Sequence, residues 1–201
     1  MARSLSRIRR LSRIAALAAV GRTAALGREI ASARGIPLRA LRETLLQVYL
    51  FAGFPRTVNA LDVLEGALGH RPPAPPEKVS RAAARRRGTA LFRRVYGPDA
   101  DRVLDAIGRR HPEFRDWIVA DAYGKVLGRP GLSAAERECL AVALLATLDL
   151  PRQQVPHVRG ALRCGARPEA VSAALDGVKG IAPAAAIRFA RARLKVEAAR
   201  G

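Results

Sequence analysis

Apolar residues along this chain recur every three to four positions, the spacing of one face of an α-helix, and no segment alternates for long in the manner of a strand. Glycine and proline breaks separate the periodic stretches. Helices are predicted at about 4–33, 38–52, 56–68, 79–95, 98–109, 112–127, 133–148, 151–164, 166–180 and 184–198. The pattern therefore predicts an all-α protein, a helical bundle.

The composition agrees with a helical protein. Hydrophobic residues make up 49% of the 201 residues, but aromatic residues make up only 4%. Much of the apolar content is alanine and leucine, which favour helix over strand. A chain of this length can bury one sizeable core, or two small ones that lean on each other.

Local signals divide the chain into regions. The clearest helix start is Ser133 with Glu136 three residues later, a capping box. The clearest break is RPPAPPEK at 71–78, because prolines remove backbone donors and clash with a preceding helical turn. The regions are a basic helical N-terminal arm (1–34) that packs weakly or against a partner, a first repeat (35–70), a Pro/Arg-rich linker (71–88) and a second repeat (89–198).

The two repeats are inferred from an internal echo. The stretch RETLLQVYLFAGFP at 42–55 is similar to ERECLAVALLATLDLP at 136–151, and Glu43 has the place in the first that Glu138 has in the second. A duplicated helical unit would explain the similarity. In the second copy a histidine, His157, follows the glutamate by nineteen residues, whereas the first copy has Asp62 at the matching distance.

The formal net charge of +19 raises the question of nucleic-acid binding. The arginines are spread through almost every segment, without interleaved aromatic residues or a nucleic-acid motif, so this function is disfavoured. No stretch approaches the ~20 apolar residues of a membrane span. Two cysteines, Cys139 and Cys164, do not make a disulfide framework, and a reduced cytoplasmic protein is expected.

Glu138 and His157 are the candidates for acid/base chemistry. Glu138 lies among leucine and alanine residues, and a carboxylate in such a place needs a partner. His157 on a neighbouring helix would allow proton transfer near neutral pH. The alternative is a Glu138 bound to Arg137, Arg159 or a backbone amide, which would join two helices without chemistry. Pro156 is expected to kink or restart the helix before His157.

Two stretches, RETLLQVYLFAGFPRTVNAL at 42–61 and the segment from YGKVLGRPGLSAAERECL to CGARPEAV at 123–171, resemble the carboxymuconolactone decarboxylase family. That family is part of a superfamily that includes the alkyl-hydroperoxidase-D proteins. The hydroperoxidase branch places a CxxC pair between the glutamate and the histidine. Here Leu150 and Gln153 stand at the two cysteine positions, so the disulfide-based peroxidase activity is not implied.

The resemblance implies cofactor-independent decarboxylation, or related acid/base chemistry, of a small carboxylated lactone or oxo-acid. Glu138 and His157 would relay the proton while Arg129 holds the substrate anion. The other candidate substrate-binding residues are Tyr123, Glu43, Tyr49 and Gln153. No cofactor and no metal are expected, and the resemblance implies a homo-oligomer, a trimer or hexamer.

Two other functions stay open. One is a non-catalytic helical module for oligomerisation or partner binding, which a buried Glu138 ion pair without an adjoining cavity would favour. The other is an alkyl-hydroperoxidase-D-like antioxidant protein that uses Cys139 or Cys164, although the CxxC motif is absent. Both cysteines are expected to act as small, buried, apolar side chains.

Overall fold

The computed structural model describes residues 2–72 and 75–200. Within these ranges the chain is helical and has no strand, which confirms the all-α prediction. The helices are α1 (Ala2–Ala19), α2 (Thr23–Ala31), α3 (Leu38–Leu68), α4 (Arg81–Tyr96), α5 (Ala100–Arg110), α6 (Pro112–Trp117), α7 (Ala134–Thr147), α8 (Pro151–Arg163), α9 (Pro168–Gly177) and α10 (Ala184–Ala198). A 3₁₀ turn, Gly97–Asp99, precedes α5, and a π-helical segment, Ile118–Leu127, continues α6.

Helix ends follow the sequence signals. The Ser133 hydroxyl accepts a hydrogen bond from the backbone N–H of Glu136, and the Glu136 carboxylate accepts one from the backbone N–H of Ser133. This is the predicted capping box at the start of α7. In α3 the backbone leaves helical geometry at Gly53, where φ is +80°, so the two helices predicted on either side of GFP meet at a kink.

Pro156 does not restart its helix, contrary to expectation. α8 is helical from Pro151 to Arg163. A proline at position 156 removes the hydrogen bond to the carbonyl of Arg152, which lies in the exposed first turn where water can take the place of the lost donor. The register of α8 is therefore kept as far as His157.

The N-terminal region is part of the core, which corrects the expectation of a weakly packed arm. α1 packs against α3, α7 and α9. Leu11, Ile14 and Ala15 have no exposed surface. A Cβ placed on Gly177 of α9 would lie 2.2 Å from the carbonyl oxygen of Arg9, so glycine is needed where α1 and α9 touch. The apolar pattern of α1 drifts around the axis because helices surround it on several sides.

α7 lies at the centre of the main core. All of its residues from Arg137 to Thr147 are buried. A helix surrounded on all sides carries apolar residues around its whole circumference, which explains why this segment has no polar face. Glu138 is thereby placed in the interior on the helix that neighbours α8.

A smaller second core lies between α4, α5 and the π-helical segment, around Phe92, Leu104 and Tyr123. Two glycines allow α4 and the π-helical segment to touch backbone to backbone. A Cβ on Gly88 would lie 1.8 Å from the carbonyl oxygen of Val119, and a Cβ on Gly124 would lie 2.3 Å from that of Ala84. Through α4 this core packs against α8, and it forms one side of the candidate site.

The proposed boundaries of the repeats and linker remain predictions. Of the predicted linker at 71–88, Pro73 and Ala74 lie outside the described residues, and residues from Arg81 onward are the first turns of α4. Glu77 is tied to α4 by an ion pair with Arg87, at 2.6 Å. In the part of the chain that the structure describes, no helix combines the length and the apolar character that crossing a membrane requires.

Candidate functional site

Glu138 and His157 meet in the structure. The Nδ1 atom of His157 lies 2.8 Å from Oε2 of Glu138. The short turn between α7 and α8 brings the helices side by side, and Gly160, one turn after His157, makes room for the carboxylate. A Cβ at that position would lie 2.7 Å from Glu138 Oε2. The carboxylate is buried, and His157 is 8% exposed.

His157 forms part of the wall of a cleft of about 740 Å³. The cleft runs between α8 on one side and the 3₁₀ turn with α5 on the other. Its lining residues are Tyr96, Asp99, Arg102, Val103, Ala106, Ile107, Arg110, Arg152, Gln153, Pro156, His157 and Arg159. With Nδ1 directed to Glu138, the opposite ring nitrogen, Nε2, is the one left to interact with a bound molecule.

The cleft is electropositive. Four arginines and a single carboxylate, Asp99, line it. Arg102 binds Asp99 at 2.8 Å, and Arg159 binds Glu197 outside the cleft at 2.9 Å. Among the described residues, neither Arg110 nor Arg152 takes part in an ion pair. A molecule that enters the cleft therefore meets guanidinium groups with spare donors, which suits an anion.

Aromatic side chains fix His157 from two sides. The ring of Tyr96 lies 6.5 Å from the imidazole, edge to face, and that of Phe51 on α3 lies 6.3 Å away. Tyr96 stacks on Phe92 at 4.2 Å. The imidazole orientation is thus set by packing as well as by Glu138.

Tyr123 lies behind Tyr96, and the centroids of the two rings are 6.4 Å apart. Burial, with a smaller contribution from the negative charge of Glu138, raises the pKa of Tyr96 above its ordinary value. Burial raises the pKa of Tyr123 further. Both phenols therefore keep their protons at neutral pH and can donate hydrogen bonds.

The structure pairs two of the predicted substrate-binding residues with each other. Arg129 Nε lies 3.1 Å from Glu43 Oε1, and Arg137 Nη2 lies 2.8 Å from Glu43 Oε2. Burial lowers the pKa of Arg137, and the Glu43 carboxylate opposes this shift. Nη1 of Arg129 also lies 3.7 Å from Oε2 of Glu77. Neither Glu43 nor Arg129 lines the cleft at His157.

The other candidates are placed differently. Gln153 lines the cleft beside His157. Tyr123 is buried and is separated from the cleft by Tyr96. Tyr49 packs against Phe54, with ring centroids 4.5 Å apart, and is not among the lining residues. Substrate binding by these residues stays a prediction.

Sequence reasoning missed Tyr96, Phe51 and the arginines of α5 and α8. A signal existed for Tyr96, because the chain has only three tyrosines and this one stands directly before a Gly-Pro break. No signal identified Arg110 or Arg152 among 36 basic residues. Only their position in the walls of the cleft between α5 and α8 distinguishes them.

Cys139 and Cys164 are buried and unpaired. Burial, reinforced by the Glu138 charge, raises the pKa of Cys139 to about 12 and that of Cys164 to about 11. Neither thiol is a thiolate at neutral pH, so neither is suited to attack a peroxide. Within the described ranges, no three His, Cys, Asp or Glu side chains converge in a way that could hold a metal ion.

Comparison with known proteins gives three similarities. A sequence model described as the carboxymuconolactone decarboxylase family matches residues 112–195. The chain is 32% identical over 155 residues to Peroxisomal protein 2 of Schizosaccharomyces pombe, covering 74% of this chain and 71% of that protein. It is 24% identical over 169 residues to Peroxisomal protein 2 of Saccharomyces cerevisiae, covering 70% of this chain and 58% of that protein. Glu138 and His157 both lie in the region matched to the family.

Proposed function

This chain belongs to the carboxymuconolactone decarboxylase family, and we propose that it is an enzyme that performs cofactor-independent acid/base chemistry on a small organic carboxylate in the cleft beside His157. The favoured reaction is decarboxylation of a carboxylated lactone or oxo-acid. The observation that carries the proposal is the hydrogen bond between Glu138 and His157 at the wall of an arginine-lined cleft.

The geometry of the pair supports a distinct role for each residue. A buried carboxylate that accepts a hydrogen bond from Nδ1–H fixes the tautomer of the imidazole, and it stabilises the ring when Nε2 takes up a proton. Nε2 can then give that proton to a molecule in the cleft. Glu138 acts through His157 as a positioning residue, and His157 is the group that exchanges the proton with the substrate.

In the proposed reaction, the bond between the substrate carbon and its carboxylate breaks, and carbon dioxide leaves. The electron pair of that bond stays on the carbon and spreads onto an adjacent carbonyl oxygen as an enolate. Protonated His157 delivers a proton from Nε2 to the carbon, and the imidazole regains a proton from solvent. One proton is consumed for each carbon dioxide released.

Arg110 and Arg152 are the residues to which we assign anion binding. Arg129 was predicted to have this role, but its guanidinium group is paired with the Glu43 carboxylate. The two cleft arginines have no carboxylate partner among the described residues, and planar guanidinium groups bind carboxylates with two parallel hydrogen bonds. Tyr96, a neutral phenol at the cleft wall, is placed to donate a hydrogen bond to the developing enolate oxygen.

Variants at the pair test the proposal. Carbon dioxide release from a panel of carboxylated lactones and oxo-acids identifies a substrate, and the variants Glu138→Gln and His157→Gln are then compared with the unmodified chain. Loss of general acid catalysis lowers kcat by roughly 10²- to 10⁴-fold. His70→Gln is the matched control, because His70 is exposed at the end of α3, and its kcat should be unchanged.

Undiminished turnover by Glu138→Gln and His157→Gln would contradict this mechanism. Circular dichroism and thermal melting of each variant show whether a loss of activity comes from loss of the fold. A panel in which no compound is turned over, although some bind the cleft, would favour the non-catalytic module.

A non-catalytic helical module would be favoured by a buried Glu138 ion pair with no adjoining cavity. The structure has a cleft beside His157, which favours an enzyme instead. The raised thiol pKa values disfavour the antioxidant function. The names of both relatives describe peroxisomal proteins and state no reaction. The cytoplasmic location, the trimeric or hexameric assembly and the duplication of the helical unit remain predictions.

A further inference from the structure

A second cavity, of about 450 Å³, lies between α8 and the C-terminal end of α10. We call it the α8/α10 pocket. Its apolar walls include Leu162, Pro168 and Ala198. The volume is within the range of cavities that hold small organic molecules, roughly 300–1,000 Å³. No residue of the Glu138–His157 pair lines it.

The charged residues of the α8/α10 pocket are unbalanced. Arg159, Arg163 and Arg200 line it, together with one carboxylate, Glu197. That carboxylate is already engaged by Arg159 Nε at 2.9 Å and by Nη2 of Arg193 at 2.7 Å. Three guanidinium groups and one carboxylate line this pocket, so positive charge is in excess beside its apolar walls.

The arginines keep donors for a further acceptor. Arg159 meets Glu197 through Nε, and Arg163 donates from Nη1 to the carbonyl oxygen of Val95. Arg200 is 3.9 Å from Glu197, beyond a normal hydrogen bond. Each guanidinium group has five N–H groups, so all three arginines keep donors that these contacts do not use.

We propose that the α8/α10 pocket binds a small organic anion, a monocarboxylate with a short apolar chain. The carboxylate is held by Arg159, Arg163 and Arg200, and the chain lies against Leu162 and Ala198. Guanidinium groups bind a carboxylate through paired hydrogen bonds, which accounts for the arginines, and burial of methylene groups is favourable, which accounts for the apolar walls. This site is independent of the proposed reaction at His157.

Sodium hexanoate is the probe, with neutral hexanamide as its uncharged counterpart. Titration of the ¹⁵N-labelled chain at low ionic strength should give saturable chemical-shift changes centred on Leu162 and Ala198. Hexanamide should bind at least tenfold more weakly. Equal binding of the two compounds would overturn the proposal, because the arginines would then contribute nothing.

Three variants locate the binding. Arg200→Ala should weaken hexanoate at least fivefold, and Ala198→Trp, which fills the cavity from an exposed position, should abolish binding. Arg188→Ala removes the same charge from an exposed face of α10 away from the pocket and should leave the dissociation constant unchanged. Binding that survives Ala198→Trp would overturn the proposal.

The arginine-lined cleft beside His157 is the competing location, since Arg159 lies in the walls of both cavities. Arg152→Ala separates them, because Arg152 lines only the cleft. Hexanoate affinity that falls with Arg152→Ala but not with Arg200→Ala would assign the anion to the cleft and overturn the proposal. This readout is binding alone, so it does not depend on whether His157 is catalytic.

Discussion

Two buried glutamates, at equivalent places in the suggested repeats, have different partners and therefore different chemistry. Glu43 is held by the guanidinium groups of Arg129 and Arg137. Guanidinium stays protonated at any physiological pH, so this cluster can hold helices together but cannot exchange protons. Glu138 is paired with an imidazole, which does exchange protons near neutral pH. The partner, rather than the carboxylate, distinguishes a structural site from a candidate active site.

Burial of the two cysteines should make the stability of the protein depend on pH. Their pKa values of about 12 and about 11 lie above the ordinary value of 9.0. Above pH 9 the thiols ionise in the unfolded chain but stay protonated in the folded one. The unfolded state then binds fewer protons, so stability falls as pH rises from about 9 towards 12.

At pH 10.5 this difference in proton binding lowers the free energy of unfolding by roughly 2 kcal/mol for each of the two thiols, Cys139 and Cys164. Urea unfolding at pH 8.5 and pH 10.5, with the unmodified chain and a Cys139→Ala/Cys164→Ala variant, measures it. The variant should lose less stability between the two pH values than the unmodified chain. Parallel losses would show that the thiols titrate normally in the folded protein.

At the scale of elements, the site depends on how closely α4 packs against the π-helical segment. That contact places Phe92, Tyr96 and Tyr123 behind His157. Local sequence predicted a helix in both regions, but hydrophobic spacing does not reveal that two helices touch backbone to backbone. The small residues that permit it, Gly88 and Gly124, are visible in the sequence only as weak points of a helix.

Gly88→Ala tests this contact. The new methyl group would meet the carbonyl oxygen of Val119, which is backbone and cannot move aside cheaply. We expect a loss of about 1–3 kcal/mol in the free energy of unfolding. Gly66→Ala in α3 is the matched control, because nothing lies within 4 Å of its Cβ position. At that position alanine should raise the free energy of unfolding by about 0.5–1 kcal/mol. Similar effects of the two variants would contradict the close packing.

For the whole molecule, the main difference between expectation and structure is the role of α1. Its arginines and drifting apolar pattern indicated a peripheral arm. In the fold its arginines reach the surface at intervals, and one, Arg7, binds Glu136 at 2.9 Å. The apolar residues between them fill the space enclosed by α3, α7 and α9.

Ile14→Ala measures the role of α1. A fully buried isoleucine replaced by alanine leaves a cavity, and we expect a loss of about 2–5 kcal/mol in the free energy of unfolding. Arg3→Ala, on the exposed first turn of the same helix, should change stability by no more than about 0.5 kcal/mol. A small effect of Ile14→Ala in urea unfolding would restore the peripheral-arm interpretation.

The helical class, most helix ends and the motif that contains Glu138 and His157 are predictable from local sequence. These properties depend on spacing, capping and proline, which act within a few residues of the chain. Tertiary structure decided which side chains meet. It joined Arg129 to Glu43, placed Tyr96 and Arg110 in the walls of the cleft that His157 lines, and packed the apolar residues of α1 into the core. Such contacts link residues far apart in the chain, and their choice depends on the packing of whole helix faces, which no local pattern specifies.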